Sequence, residues 1–504
     1  ALCMLGCSDD DDQVTTTSTV PFSLTASLSP RSSDAEDTGI LQGNWDANSQ
    51  LAVIKTGSSG VPKSILTRKT DSSDTFTGNL STLVKNENEI AVFYPAAAIT
   101  ANSSDTLTQT LNLSGQDGTL AGITNYDYLW AQCKAGMNET TGSSACEMTS
   151  LVTIGKFQFT VNGGSPLNNI TRITITATAG TLYSSAVMKL KNGEFSSTQT
   201  GNITIKNKAG ISGTTYISFF PSEAQLHFTL VTTTGEVYET ATSTTIKLEK
   251  GKVYEAPALT CTLLPSAKVG DYYYSDATFS SEKNENKTCI GIVYALDDAD
   301  GNLSPTLSTS PFGRIVALGD NQSSTKWISK AEDIEGIENY TTADGTLTSG
   351  VLPYYNGTAD SFFSDKDEER IKGATIHVET GQPATWVSEG AISDFNGKAH
   401  TAYLGKSSSS YPAGGYCYQY STSGKSAGEW YLPSAGELTL LWELQKAGII
   451  CKDKQDCFND FARKAYWSSS EHSAESAWHL NFVSGAIVAN SKASNYATRP
   501  VAQF

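Results

Sequence analysis

Apolar and polar residues alternate from the start of the chain's regular part. Phe22-Ser23-Leu24-Thr25-Ala26-Ser27-Leu28 puts an apolar side chain at every second position, the period of a strand with one buried face. Ser29-Pro30-Arg31-Ser32-Ser33-Asp34 then ends it with turn residues and charge. Short strand-like runs follow at residues 51–55, 89–94 and 107–113, separated by Gly, Asn, Ser and Asp clusters. A second series covers 156–161, 170–177, 216–220, 226–231 and 244–248 and closes on Gly251-Lys252-Val253-Tyr254. This spacing predicts two β-sandwiches, at 20–150 and 151–264, each of ordinary domain size.

From Val269 the texture changes. Residues 269–276 and 289–294 read as a hairpin, and 313–320 as a further strand. The clearest helix starts at Pro433 and the capping box Ser434-Ala435-Gly436-Glu437. It carries Leu438, Leu441 and Trp442 on one face, has Lys446 in its last turn and stops at Gly448. A second helix is expected through Phe458, Phe461 and Ala462. Residues 265–504 therefore form an α+β domain on a chain that is otherwise mainly β.

Composition narrows the class. Only 17% of residues are charged, and Ser, Thr and Asn crowd every segment, a β-rich extracellular profile. The net charge of -17 repels phosphate backbones, so nucleic acid is not an expected partner. The nine cysteines lack the short paired spacings of a zinc site. Cys133 and Cys146 flank a Gly/Ser/Thr-rich loop and are candidates for a disulfide, with free thiols as the alternative. Cys451 and Cys457 fall in a helical stretch. The histidines 227, 377, 400, 472 and 479 are scattered without a metal-ligand pattern. Asp297-Asp298-Ala299-Asp300-Gly301-Asn302 has carboxylates for Ca²⁺ but lacks the distal glutamate of a calcium loop, so a hairpin turn is the reading. Asp105-Thr106-Leu107 fits a simple acceptor pattern for O-glycosylation. No metal, cofactor or catalytic residue is expected, and the chain does not read as an enzyme.

Ala1-Leu2-Cys3-Met4-Leu5-Gly6-Cys7 reads as the end of an apolar secretion segment, with a small residue before Cys7 as lipidation requires. Ser8-Asp9-Asp10-Asp11-Asp12 directly follows and resembles the export signal of Bacteroidetes surface lipoproteins. Residues 1–19 are then a signal remnant, a lipidated Cys7 and a Thr-rich linker. Acyl chains on one cysteine, at roughly 0.8 kcal/mol per buried methylene, would hold the protein at the outer membrane.

Two family resemblances cover nearly the whole chain. Gly43-Asn44-Trp45-Asp46, Tyr94-Pro95, Gln116-Asp117-Gly118, Tyr126-Asp127-Tyr128-Leu129-Trp130-Ala131, Gly235-Glu236-Val237-Tyr238 and Gly251-Lys252-Val253-Tyr254 resemble, in order and spacing, the fimbrillins, the pilus subunits of Bacteroidetes. The resemblance implies two transthyretin-like β-sandwiches and proteolytic maturation after a basic residue following the first strand. It also implies assembly by donor-strand complementation with pilus shaft or adaptor subunits. Arg31 occupies the cleavage place; its alternative is an exposed loop arginine. Trp430 to Leu438, Asp394-Phe395-Asn396-Gly397, Tyr466 to Glu471, Ala477-Trp478 and Arg499-Pro500-Val501 resemble C-type-lectin-like modules related to formylglycine-generating enzymes. There Trp430, Trp467 and Trp478 serve as framework and loops meet the ligand. The expected function is a surface adhesion protein, a pilus tip whose residues 265–504 meet a host or bacterial glycan or protein. The alternatives are a stationary glycan-binding lipoprotein outside any pilus, and an envelope enzyme using the lectin-like fold.

Overall fold

The computed structural model describes residues 18–31, 37, 39–57, 61–72, 74–100, 108–304, 307–320, 324–348, 376–379, 386–387, 389–450 and 464–504. Cys7, the Ser8 to Asp12 run, the Asp105 acceptor, Cys451, Cys457 and the helix expected through Phe458, Phe461 and Ala462 lie outside these residues. The chain is mainly β with a small helical part near its C-terminal end. It divides into two compact units, Ala1–Leu263 and Leu264–Phe504.

The first unit begins with β1 (Thr19–Leu28), β2 (Gln50–Lys55), β3 (Ser64–Arg68), β4 (Thr75–Ser81), β5 (Glu89–Tyr94), β6 (Thr108–Asn112), β7 (Leu129–Lys134), β8 (Gly136–Met137) and β9 (Gly142–Ser150). All but β6 join one sheet in the order β1-β4-β3-β2-β5-β7-β9-β8, and β1 also pairs with β9. β1 runs antiparallel to β4 and parallel to β9 and closes the sheet on itself. Its alternation has the expected result: Val20, Phe22, Leu24 and Ala26 point inward and are buried.

β2 and β5 do not alternate, because both of their faces are covered. Leu51, Val53, Ile90 and Val92 pack inside the closed sheet with Phe22 and Leu24. Ala52, Ile54, Ala91 and Phe93 join a second core with Ile154, Phe157, Phe219 and Phe228. Double burial explains why these segments read as continuous apolar runs. One core thus spans both strand series, so the first unit packs as one body.

The strand at 107–113 was expected in the first series. Observed as β6, it pairs with Tyr183–Lys189 of the second series, Leu111 facing Ala186. Alternation specifies which side chains face inward and leaves the choice of sheet to tertiary packing. Next along the chain, β10 (Thr153–Phe157) lies between Thr215–Phe219 and Val253–Glu255. Its Lys156 is buried and reaches Asp37 Oδ2 at 3.2 Å, while Tyr216 donates to Asp37 Oδ1 at 2.8 Å. This buried pair ties the segment after β1 to the second strand series.

The second unit contains a six-stranded sheet in the order Phe279–Ser280, Tyr272–Tyr274, Cys289–Leu296, Gly313–Ala317, Val501–Gln503 and Trp430–Tyr431. A three-stranded sheet, Ala465–Ser473, Ser476–Asn481 and Ala486–Ser491, accompanies it. The described residues of the unit form three α-helices, of which the third was expected: α1 (Gly397–Leu404), α2 (Pro412–Gln419) and α3 (Ala435–Lys446). In α3 the capping box is formed, and Gly448 ends it with φ +67°, a conformation that favours glycine. Leu438, Leu441 and Trp442, the apolar face expected of α3, are buried, and burial extends to every residue from Ala435 to Leu444, Glu437, Thr439 and Glu443 included. The sheets and connecting segments of the unit surround it.

Trp430, Trp467 and Trp478 are buried in this unit. Trp467 Nε1 donates to Thr325 O at 2.9 Å and Trp478 Nε1 to Tyr340 O at 2.8 Å. His479 stacks on Tyr496 at 4.1 Å between centroids, and burial pushes its pKa down from the ordinary 6.5 to about 4. The unfolded chain therefore takes up a proton near pH 6.5 that the folded unit refuses until about pH 4. Stability contributed by neutral His479 is complete above pH 6.5 and is lost as pH falls through that window, by up to ~3 kcal/mol. Thermal unfolding at stepped pH values checks this: His479→Phe flattens the acid-side decline relative to the unsubstituted protein.

Candidate functional site

Each unit holds one locus with functional geometry. In the first, it is β1 and the segment that follows. β1 pairs with β4 from Thr19 to Thr25 and with β9 from Phe22 to Leu28, so its main chain is engaged on two edges. Phe22 sits opposite Gly78 on β4 and Gly142 on β9. A Cβ on Gly142 would come within 2.7 Å of the Phe22 ring, so glycine leaves the space the ring occupies. Burial of Phe22 and Leu24 contributes roughly 2 kcal/mol each.

The chain leaving β1 is fastened. Ser29 Oγ donates to Glu147 at 2.8 Å, and Arg31 N donates to Leu41 O at 3.0 Å. The Arg31 guanidinium makes a two-pronged ion pair with Asp127, with Nη1 3.0 Å from Oδ1 and Nη2 close against Oδ2. Asp127 Oδ1 also accepts from Ser150 Oγ at 3.0 Å. The alternative of an exposed loop arginine is therefore corrected: the Arg31 side chain is only 9% exposed. Nothing in the sequence links Asp127, in the motif Tyr126-Asp127-Tyr128, to Arg31, 96 positions away.

Cys133 on β7 and Cys146 on β9 carry free thiols that touch one another. The sulfur of Cys133 accepts from Ser144 Oγ at 3.2 Å. Contact with Cys146, aided by Ser144, holds the Cys133 thiol below its ordinary range, and the same contact together with burial pushes Cys146 up.

In the second unit a cavity of about 620 Å³ opens between the turn at Gly301, the start of α1 and the strand at Gln503. Asn302, Ser393, Phe395, Asn396, Lys398 and Gln503 line it. Lys398 Nζ donates to Gln503 Oε1 at 2.8 Å, and Gln503 Nε2 donates to Asp297 Oδ2 at 3.2 Å. Ser393 Oγ is buried and has no hydrogen-bond partner. Amides, one ammonium, a hydroxyl and a half-buried phenyl ring suit a polar ligand with an apolar face.

The cavity floor is a buried charge network. Arg314 Nε donates to Asp297 Oδ1 at 2.9 Å, and Arg314 Nη1 donates to Glu437 Oε1 at 2.6 Å. The same Glu437 oxygen accepts from Tyr294 and Tyr431 at 2.9 and 2.8 Å. Its other oxygen accepts from Ser434 N at 2.9 Å and completes the helix cap. Burial raises Asp297 to about 6 against the pull of Arg314. The 297–302 segment is a turn, with Asp298 Oδ1 accepting from the backbone of Asp300 and Asn302. Among the described residues no group of three His, Cys, Asp or Glu could hold a metal. None of their helices is long and apolar enough to cross a membrane.

Residues 378–502 match the family model described as the Lcl C-terminal domain, about a quarter of the chain. No curated protein matches. Among solved structures, a fimbrial protein from Bacteroides ovatus is 14% identical over 96% of this chain and 98% of its own, with a TM-score of 0.27. A second Bacteroides ovatus protein, provisionally named for cell adhesion, is 16% identical over 49% of this chain and 97% of its own, with a TM-score of 0.34. A fimbrial assembly protein from Parabacteroides distasonis is 12% identical over 49% and 95%, with a TM-score of 0.26.

Two outcomes test the two loci. Asp127→Ala frees the Arg31 side chain, and cleavage after Arg31 by an arginine-directed protease accelerates about tenfold, as loss of ~1.4 kcal/mol of loop stabilisation would give; timed mass spectrometry of the products measures it. Glu437→Ala leaves Arg314 buried with one carboxylate fewer and uncaps α3, lowering the second unit's stability by about 3–5 kcal/mol in denaturant unfolding.

Proposed function

We propose that this chain is a surface adhesion subunit of a pilus, in which β1 is replaced by a strand from a neighbouring subunit and the second unit meets the ligand. The observation that carries this reading is the double pairing of β1 with β4 and β9, directly followed by Arg31. Withdrawing β1 opens two backbone edges and the pits of Val20, Phe22, Leu24 and Ala26 together. Exposed edges of that kind recruit another strand, and apolar pits at alternate positions choose it. Cleavage after Arg31 is the release step, lipidation of Cys7 the anchor to the outer membrane before release, and Ser8 to Asp12 the export signal.

Residues 265–504 act as a lectin-like module in a tip subunit, and the cavity beside Phe395 and Lys398 takes a sugar or a polar peptide group of a surface partner. The role is binding rather than catalysis.

One observation favours a second reading. Arg31 is buried against Asp127, and a chain that stays uncut would act as a stationary glycan-binding lipoprotein.

The two readings separate on the displayed protein. Arginine-directed protease, with wild type and Arg31→Ala compared, gives a new N-terminus at residue 32 and incorporation into a pilus fraction under the first reading. An uncut chain that still binds glycan supports the second. Deleting residues 265–504 abolishes adhesion of the bacteria under the first reading, and unchanged adhesion rejects it.

A further inference from the structure

β9 depends on β1 more than its place in the sheet suggests. Between Gly142 and Met148 it pairs with β1 along its whole length. On its other side it pairs with β7 only at Leu129/Ser150 and Trp130/Thr149, and with β8 only at Gly136/Ser143 and Met137/Gly142. All four pairs share one register, in which Cys133 stands opposite Cys146 in the middle of the unpaired stretch.

The orientation of the backbone there is fixed by neighbours. Ala135 N donates to Asn88 O, and Leu151 N donates to Tyr128 O. The odd-numbered backbone groups of β7 thus face β5 and the even-numbered ones face β9, which makes Cys133/Cys146 a non-hydrogen-bonded pair. A non-hydrogen-bonded position is the one where facing side chains of antiparallel strands approach most closely, the arrangement that a cross-strand disulfide needs. Both side chains pack against the interior of the closed sheet, and the two thiols are in contact.

We propose that Cys133 and Cys146 form a cross-strand disulfide that holds β9 on β7 when β1 is absent. The existence of the bond stands on this geometry alone; its role rests on the reading of β1 as a removable strand. The oxidant is a protein disulfide of an oxidising compartment. The Cys133 thiolate attacks one sulfur of that disulfide, giving a mixed disulfide and releasing one thiol of the oxidant. Cys146, as its thiolate, then attacks the Cys133 sulfur and releases the second, so two electrons and two protons end on the oxidant. Of the two, Cys133 is the thiol whose ionisation its neighbours favour, which suits it to the first attack.

The test uses the full chain exported by its host, with free thiols alkylated on lysis. Non-reducing peptide mapping is expected to recover a linked peptide pair carrying Cys133 and Cys146; recovery of both as alkylated thiols overturns the bond. Hydrogen exchange at residues 142–148 is then followed after cleavage at Arg31 and removal of β1. Exchange at least tenfold faster in Cys146→Ser than in the linked protein is expected, and equal exchange overturns the role. A linked pair in a chain that never releases β1 leaves the bond standing and removes the strand-exchange reading instead.

Discussion

The first unit depends on the backbone of β1 being hydrogen-bonded along two edges at once. Closure by β1 covers the backbone edges of β4 and β9 that would otherwise stand open to another strand. The closure is made by the first strand in sequence, whose far end leads into the Arg31 segment. Phe22 fills the space that Gly142 leaves open. Residues 144–148 of β9 have β1 as their ladder partner and pair with neither β7 nor β8, so they depend on it most.

In the second unit the corresponding constraint is the Glu437 carboxylate. One of its oxygens neutralises Arg314 and accepts two tyrosine hydroxyls, while the other caps α3. A charge with no exposure is tolerable only when all of its acceptor capacity is used. That requirement ties the strands of Tyr294, Arg314 and Tyr431 to the start of α3 and leaves the cavity above with a rigid floor. The Asp297 carboxylate joins the network to Gln503, so the wall of the cavity is aligned by the same charges that hold the fold.

What was legible in sequence was local. The alternation of residues 22–28, the apolar runs of β2 and β5, the Ser434/Glu437 cap and the Gly448 stop each depend on residues within one element, and they can be read there. Sheet membership could not be read: β6 has the same alternation whichever sheet it enters. Arg31 and Asp127 lie 96 positions apart, and nothing local marks the aspartate as a partner. The cavity was hidden for the same reason, since Lys398 and Gln503 meet across 105 positions. Phe395 and Asn396, within the motif Asp394-Phe395-Asn396-Gly397, and Asn302, in the 297–302 turn, are the lining residues that local motifs include.

The two ways in which β1 is held differ in kind, and the difference bears on exchange. Its ladders with β4 and β9 use main-chain groups that any strand provides, and its inward side chains need only be apolar at alternate positions. Such contacts can be remade by another segment with little loss. The Arg31–Asp127 pair is specific to this chain and to this register, because a planar guanidinium must meet a planar carboxylate that Ser150 already orients. A strand held by generic contacts and fastened at one end by a specific one stays in place until that end is cut or opened. Under the proposed exchange of β1, control over release would concentrate at Arg31, and the choice of a successor would be left to the apolar pits of Val20, Phe22, Leu24 and Ala26.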